Sequence, residues 1–125
     1  MQEIIDEMLA KKKFAVIGSF RDQYKYAYRI LKKLVLHGST VYPVNPSLEQ
    51  VEGLKCYKTV IDIPDTPECA SIVTPPKVTE EIVKQCLAKG IKLVWMQPGA
   101  ESGEAIKFCN ENNIKVVYNA CLLTV

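Results

Sequence analysis

The stretch Phe14-Ala15-Val16-Ile17-Gly18-Ser19-Phe20-Arg21-Asp22-Gln23-Tyr24-Lys25-Tyr26-Ala27 decides the fold. Phe14 to Gly18 is an apolar run ending on glycine, which reads as a strand covered on both faces. Beyond the turn, Ala27, Ile30, Leu31, Leu34 and Val35 recur at helical spacing and form one apolar face. His37-Gly38 closes that helix, because glycine takes the left-handed conformation just past a helix end. A buried strand, a glycine-headed turn and an amphipathic helix open a βαβ unit.

The same alternation continues along the chain. Thr40–Val44 reads as the second strand, with Pro43 near its end because proline donates nothing to a ladder. A variable stretch from Asn45 to Pro67 follows, with helical turns expected near Leu48–Val51 and Val60–Ile63. Cys69–Thr74 is the third strand, and a helix from Val78 to Lys89 is expected to bury Val78, Ile82, Val83, Cys86 and Leu87 before Gly90 stops it. Lys92–Met96 is the fourth strand; a helix over Ser102–Asn112 follows, with Ser102 as N-cap. Lys115–Tyr118 is the fifth strand, and Asn119–Val125 a tail. Ahead of all this, Ile4, Ile5, Met8 and Leu9 mark a short amphipathic helix, a cap over residues 1–13 whose Lys11-Lys12-Lys13 suit a helix C-terminus.

Strands apolar on both faces and separated by helices predict an α/β fold over residues 1–125 as one domain. This is a Rossmann-like doubly wound sheet of five parallel strands with helices on both faces. Right-handed crossovers allow few arrangements, and of these the order 3-2-1-4-5 is expected, with a switch point beside the first strand.

Composition narrows the function. The 125 residues are 48% hydrophobic and 24% charged with a net charge of +2, so nothing points to nucleic acid or an anionic membrane surface. No apolar run approaches a membrane span, and the acidic N-terminus does not read as a signal peptide. Cys56, Cys69, Cys86, Cys109 and Cys121 form no CxxC pair, which predicts reduced thiols and a cytoplasmic location rather than a disulfide framework or metal site. Cys86 and Cys109 are expected in the core.

Ligands of such sheets bind outside the carboxyl ends of the strands at the switch point. Five segments are expected there. The turn Gly18, Ser19, Phe20, Arg21 has one glycine where a dinucleotide fingerprint has three, and Phe20 stands where backbone would approach a pyrophosphate. The second strand ends in Asn45 rather than the acid that would hold a ribose hydroxyl. Both departures count against NAD. Phosphate binding through helix-start amides, helped by Arg21 and Lys25, stays open. Pro43, Asn45 and Pro46 make a rigid edge suited to a flat ring or ribose. Thr74, Pro75, Pro76 and Lys77 offer an apolar wall and a cation, and Gln97, Pro98 and Gly99 suggest close backbone approach. Cys121, beside Asn119, is the one thiol on the ligand side. The only histidine, His37, lies at the back of the first helix.

Taken together, Val41–Pro46, Glu52–Tyr57, Leu93–Gly99 and Asn119-Ala120-Cys121 resemble the CoA-binding protein family. These are small domains similar to the CoA-binding domain of the succinyl-CoA synthetase α subunit. The resemblance runs from about Phe14 to Cys121, with Phe20–Gln23 departing from the small polar loop usual there. It implies coenzyme A as ligand: Gly18, Ser19 and Arg21 at the diphosphate, and Lys25 and Tyr26 holding phosphate. Pro43, Asn45 and Pro46 would lie near adenosine, Thr74, Pro75 and Pro76 along the cleft, and Gln97, Pro98 and Gly99 toward pantetheine. The synthetases use a phosphorylated histidine from a further domain, for which His37 is no substitute. The expectation is therefore a non-catalytic carrier, sensor or regulator of CoA or an acyl-CoA, as a possible homodimer or with a larger protein partner. The alternatives are an NAD- or nucleotide-binding protein, a thioester enzyme using Cys121, and an interaction subunit with a vestigial site.

Overall fold

A computed structural model describes residues Met1–Val125. Five parallel strands form the sheet: β1 (Lys13–Gly18), β2 (Thr40–Val44), β5 (Cys69–Val73), β6 (Leu93–Met96) and β7 (Lys115–Val117). A small antiparallel pair, β3 (Gln50–Val51) and β4 (Leu54–Lys55), sits between β2 and β5 in sequence. The helices are α1 (Gln2–Leu9), α2 (Tyr26–Leu36), α3 (Pro76–Lys89) and α4 (Gly103–Glu111). No helix is long and apolar enough to cross a membrane.

The expected alternation and the burial of both sheet faces are present. Phe14 and Val16 point to the face covered by α1 and α2, where Ile5, Met8, Ile30 and Leu31 meet Trp95. Ala15 and Ile17 point to the other, where Ile82 and Val83 of α3 meet Ala105 and Cys109 of α4. Such period-two alternation between two apolar layers is what a doubly covered sheet requires.

The strand order is not the one expected from sequence. The sheet runs β2-β1-β5-β6-β7, which in order of the five long strands is 2-1-3-4-5 rather than 3-2-1-4-5. The outer edge of β2 is already taken: the Tyr57 N–H donates to the Pro43 carbonyl and the Asn45 N–H to the Tyr57 carbonyl, each at 2.9 Å. The third long strand, β5, therefore enters on the free side of β1, with Ala15 opposite Ala70. The switch point moves with it, to the gap between β1 and β5, from which α2 and α3 leave for opposite faces.

Other expectations need correction. Leu48–Val51 is no helical turn; Gln50 and Val51 pair with Lys55 and Leu54 across a turn in which Glu52 and Gly53 both have positive φ, 51° and 77°. A two-residue loop of that kind suits the twist of a hairpin. Helix α3 starts at Pro76, so Thr79, Ile82, Val83 and Cys86 face inward while Val78 and Leu87 are exposed. Val35 of α2 is also exposed. The last turn of α1 holds no basic residue; Lys13 instead begins β1 and binds Asp65 at 2.7 Å. The glycine stops and the Ser102 cap are as expected: Gly38 and Gly90 have φ of 82° and 89°, and the Ser102 hydroxyl accepts the Ala105 N–H.

At the amino end of the sheet, two carboxylates make stability depend on acid. The Lys13 ammonium, the Thr66 N–H and the Tyr42 hydroxyl hold the Asp65 carboxyl below its usual range. The backbone N–H groups of Lys12 and Lys13 do the same for Glu68. A carboxyl whose pKa is lower when folded stabilises the fold above its unfolded pKa, and that contribution goes as pH falls through the folded value. Urea unfolding is expected to show stability declining from about pH 4 downward. The decline should be shallower in Asp65→Asn/Glu68→Gln, and identical slopes would contradict this assignment.

Candidate ligand crevice at the switch point

Gly18 ends β1 where there is no room for a side chain. A Cβ there would lie 2.7 Å from the Val73 carbonyl oxygen and 2.8 Å from the Ala27 Cβ. Glycine thus lets the start of α2 close against the ends of β1 and β5. The loop beyond it is anchored by Phe20, whose ring is buried against the α1/α2 layer, leaving Ser19 and Arg21 exposed. Asp22 accepts the Tyr24 N–H at 2.9 Å and so tightens the turn that leads into α2.

Three helices begin at this edge, and they differ in what they leave free. Helix α4 is capped by the Ser102 side chain. Helix α3 begins with Pro76, which has no N–H, and its Val78 and Thr79 amides bond to the Pro75 carbonyl. Helix α2 has no side-chain cap, and the amides of Tyr26, Ala27 and Tyr28 have no acceptor. Unpaired N–H groups at the positive end of a helix dipole attract anions. Arg21, Lys25 and Arg29 stand nearby and take part in none of the ion pairs; the Arg29 guanidinium lies 5.8 Å from the centre of the Tyr26 ring.

A crevice of about 310 Å³ opens in front of that helix start. Ser19, Lys25 and Tyr26 form one side, Thr74 and Pro75 another, and Pro98 and Gly99 a third. Gly99 has φ of 93°, and its N–H is held by the Glu101 carboxylate at 2.8 Å. A larger cavity, about 430 Å³, lies at the opposite end of the sheet among Lys11, Glu68, Lys92 and Lys115. It faces the amino ends of the strands, away from any helix N-terminus of the sheet, so the switch-point crevice is the better ligand site.

The expected site residues fall into two groups. Gly18, Ser19, Lys25, Tyr26, Thr74, Pro75, Pro98 and Gly99 line or floor the crevice, while Arg21, Pro76 and Lys77 are exposed and do not line it. The others hold the protein together. Asn45 donates from Nδ2 to the Gly18 carbonyl at 2.8 Å and accepts the Ser47 N–H at 2.8 Å, tying the ends of β1 and β2. Pro43 is buried in β2, and Pro46 is exposed beyond it. Gln97 is fully buried: its amide donates to the Ser71 hydroxyl and accepts the Leu122 N–H, so it faces inward rather than toward a ligand. Thr74 rests on buried Thr79, oxygen to oxygen at 2.7 Å.

The C-terminal segment is fastened by the same inward groups. The Trp95 indole N–H donates to the Ala120 carbonyl at 2.8 Å, and the Lys33 ammonium to the Leu122 carbonyl at 2.7 Å. Half-buried Cys121 lies between these ties, and Asn119, exposed with φ of 59°, just before them; neither lines the crevice. The other thiols are buried: burial pushes Cys69 and Cys86 up to about 12 and Cys109 to about 11, and raises Cys56. Thiols in that state are poor nucleophiles. Val73, Ala27 and Ala100 also line the crevice and were missed from sequence. Their positions, at a strand end and in the first turns after two loops, were the available signal.

The geometry has counterparts among known proteins. A hypothetical protein from Pyrococcus horikoshii OT3 superposes with a TM-score of 0.93 at 38% identity, covering 98% of this chain and 87% of its own. The α subunit of ADP-forming acetate–CoA ligase II from Pyrococcus furiosus is 38% identical over 104 residues, 81% of this chain but 23% of the relative. The ADP-forming acetate–CoA ligase of Methanocaldococcus jannaschii is 37% identical over 81 residues, 65% of this chain. The chain thus spans 12% and 23% of the length of these two curated relatives. The family model described as a CoA binding domain matches residues 12–125, every element except α1. The resemblance read from sequence is thereby met, and the chain belongs to the CoA binding domain family.

Proposed function

We propose that this chain binds coenzyme A or an acyl-CoA at the carboxyl edge of its sheet, without catalysing a reaction on it, as a carrier, sensor or regulator. The observation that carries this reading is the open start of α2. Three amides are free at that helix start, and Lys25, which joins no ion pair, lines the crevice in front of it, in a member of the CoA binding domain family. The diphosphate sits at the amides of Tyr26, Ala27 and Tyr28, with Ser19, Arg21 and Lys25 around it. Pantetheine crosses between Thr74-Pro75 and Pro98-Gly99, and adenosine lies toward Pro46. The whole chain acts as one binding unit, with residues 1–13 as a helical cap.

The non-catalytic part is supported by what lines the crevice: hydroxyls, one amine and apolar groups, with no histidine, carboxylate or thiol. The Ser19 hydroxyl has no base beside it, and His37 caps the far end of α2. Four buried free thiols support a reducing, cytoplasmic setting. The curated relatives are named as ligases, one of them as a subunit, which supports a protein partner for this much shorter chain.

Thermal unfolding with CoA, an acyl-CoA and NAD tests the reading. CoA at 100 times its Kd is expected to add about 2.7 kcal/mol, and less in Lys25→Ala at the same concentration, while NAD adds nothing. No shift with CoA or acyl-CoA would remove the ligand assignment. Acyl-CoA hydrolysis by the pure protein that is lost in Cys121→Ser would replace the non-catalytic role with an enzymatic one.

A further inference from the structure

A third cavity, about 310 Å³, lies at the far end of α2 from the crevice, where the ends of α1 and α2 meet the turn Leu122–Thr124. Its floor is apolar and buried: Phe14 of β1, Leu34 of α2 and Leu122. Leu9 and Val125 form its sides and stay 45% and 47% exposed, apolar surface that an occupant would cover. The remaining wall is polar. The Thr40 N–H donates to the Lys12 carbonyl at 2.7 Å, which sets Lys12 beside Ser39. The Lys12 ammonium joins no ion pair, and the Ser39 hydroxyl has no hydrogen-bond partner. His37 Nδ1 lies 2.7 Å from the Lys33 carbonyl, which only accepts, so Nδ1 carries a proton and Nε2 is left free. Lys33 itself is taken up by the Leu122 and Val125 carbonyls at 2.7 and 3.2 Å, and so holds the turn in place. No Asp or Glu side chain lines the cavity.

An apolar hollow with a few convergent polar groups is the anatomy of a small-molecule site. The charge balance selects the class of ligand. A free ammonium and a free hydroxyl with no acid among them favour an anion, and the buried floor favours an apolar body. Inorganic phosphate would leave that floor unused, and an alkylamine would meet Lys12 with like charge. We propose that this cavity is a second ligand site, for a monocarboxylate with a short apolar tail or ring. The apolar part rests on Phe14, Leu34 and Leu122. The carboxylate accepts from the Lys12 ammonium and the Ser39 hydroxyl, with the His37 ring at the mouth. Such charge-assisted hydrogen bonds are stronger than neutral ones. The 11 residues of α2, roughly 16 Å of helix, separate this site from the crevice, so the inference does not depend on the CoA reading.

Titration of the isotope-labelled chain with hexanoate, hexanol and hexylamine, followed through backbone amide resonances and without CoA present, tests this. Hexanoate is expected to give saturable shifts at Leu9, Leu34, Ser39 and Leu122, with Ser19, Tyr26 and Gly99 at the crevice unmoved. Hexanol, with the same tail and no charge, should bind roughly tenfold more weakly, as the loss of a hydrogen bond to a charged group implies. Hexylamine should not bind. Lys12 is exposed, so Lys12→Ala should keep its Tm and bind hexanoate no better than hexanol. In Lys12→Glu hexanoate binding should be lost while hexanol still binds. Lys11→Glu is the charge control: its side chain lines the cavity beside Glu68 instead, and it should bind hexanoate as the wild type does. No saturable shift with hexanoate would overturn the site, as would shifts centred on Ser19, Tyr26 and Gly99. Equal binding of hexanoate and hexanol by the wild type would also overturn it, since the basic wall then selects nothing. An equal loss in Lys11→Glu and Lys12→Glu would do the same, by showing that only the general surface charge is felt.

Discussion

Trp95→Ala is expected to cost about 3–5 kcal/mol of folding stability, a large part of the roughly 5–15 kcal/mol that holds a domain of this kind together. Trp95 is the largest of the fully buried side chains, in the middle of β6, and packs in the layer formed by α1 and α2. Its removal leaves a cavity that β6, held in register by Ala70, Ser71 and Ile72 on one side and by β7 on the other, has little freedom to fill. It also takes away the indole N–H that binds the Ala120 carbonyl. Trp95→Phe, which keeps most of the ring but not the donor, should fall between wild type and alanine. Urea unfolding of the three proteins measures this; a loss under about 1 kcal/mol for alanine would show that the layer repacks around the site.

Gly18→Val is expected to remove both stability and ligand binding. The added Cβ alone would overlap the Val73 carbonyl and Ala27 Cβ, and neither backbone nor a helix-borne methyl can swing aside as a flexible side chain would. Overpacking of this sort costs about 1–3 kcal/mol. The relief available is to push the start of α2 away from β5, which widens the crevice and carries the amides of Tyr26, Ala27 and Tyr28 out of line. Gly103→Ala is the control, since a Cβ at Gly103 meets nothing within 4 Å and its φ lies outside the positive region. It should leave both stability and CoA affinity near wild type. Equal behaviour of the two variants in unfolding and in calorimetry would mean that Gly18 is replaceable and that the approach of α2 does not shape the site.

Local features of this fold were legible in the sequence. The apolar stripe through Ile30, Leu31 and Leu34, the stops at Gly38 and Gly90 and the Ser102 cap each depend on residues a few positions apart, and each is where the sequence puts it. The strand order was not legible, because it turns on one long-range contact. Tyr57, part of an irregular stretch, occupies the free edge of β2 and so sends β5 to the other side of β1. Handedness rules permit both orders and do not choose between them.

The ligand edge was legible as a set of loops but not in the division of labour within it. Asn45 and Gln97 look like ligand-binding amides in a one-dimensional reading, since each follows a strand on the binding side. Both instead satisfy buried backbone groups, Asn45 at the Gly18 carbonyl and Gln97 at the Leu122 N–H. Sequence position gives the end of the sheet on which a residue lies, and only packing decides whether its side chain turns in or out. Phe20 is the same case: its place in the fingerprint suggested a ligand neighbour, yet burying the ring anchors the loop. The α2 amides carry no side-chain identity at all, so only the missing cap at Lys25 marks them.

The most direct test of the central claim, that the switch-point crevice holds the ligand's diphosphate, is a titration of isotope-labelled protein with CoA, followed through backbone amide resonances. The expected result is saturable shifts largest at Ser19, Tyr26, Ala27, Tyr28 and Gly99, with Lys11, Lys92 and Asn113 at the opposite end of the sheet unmoved. Shifts centred on Lys11, Lys92 and Asn113, or none at saturating CoA, would contradict it.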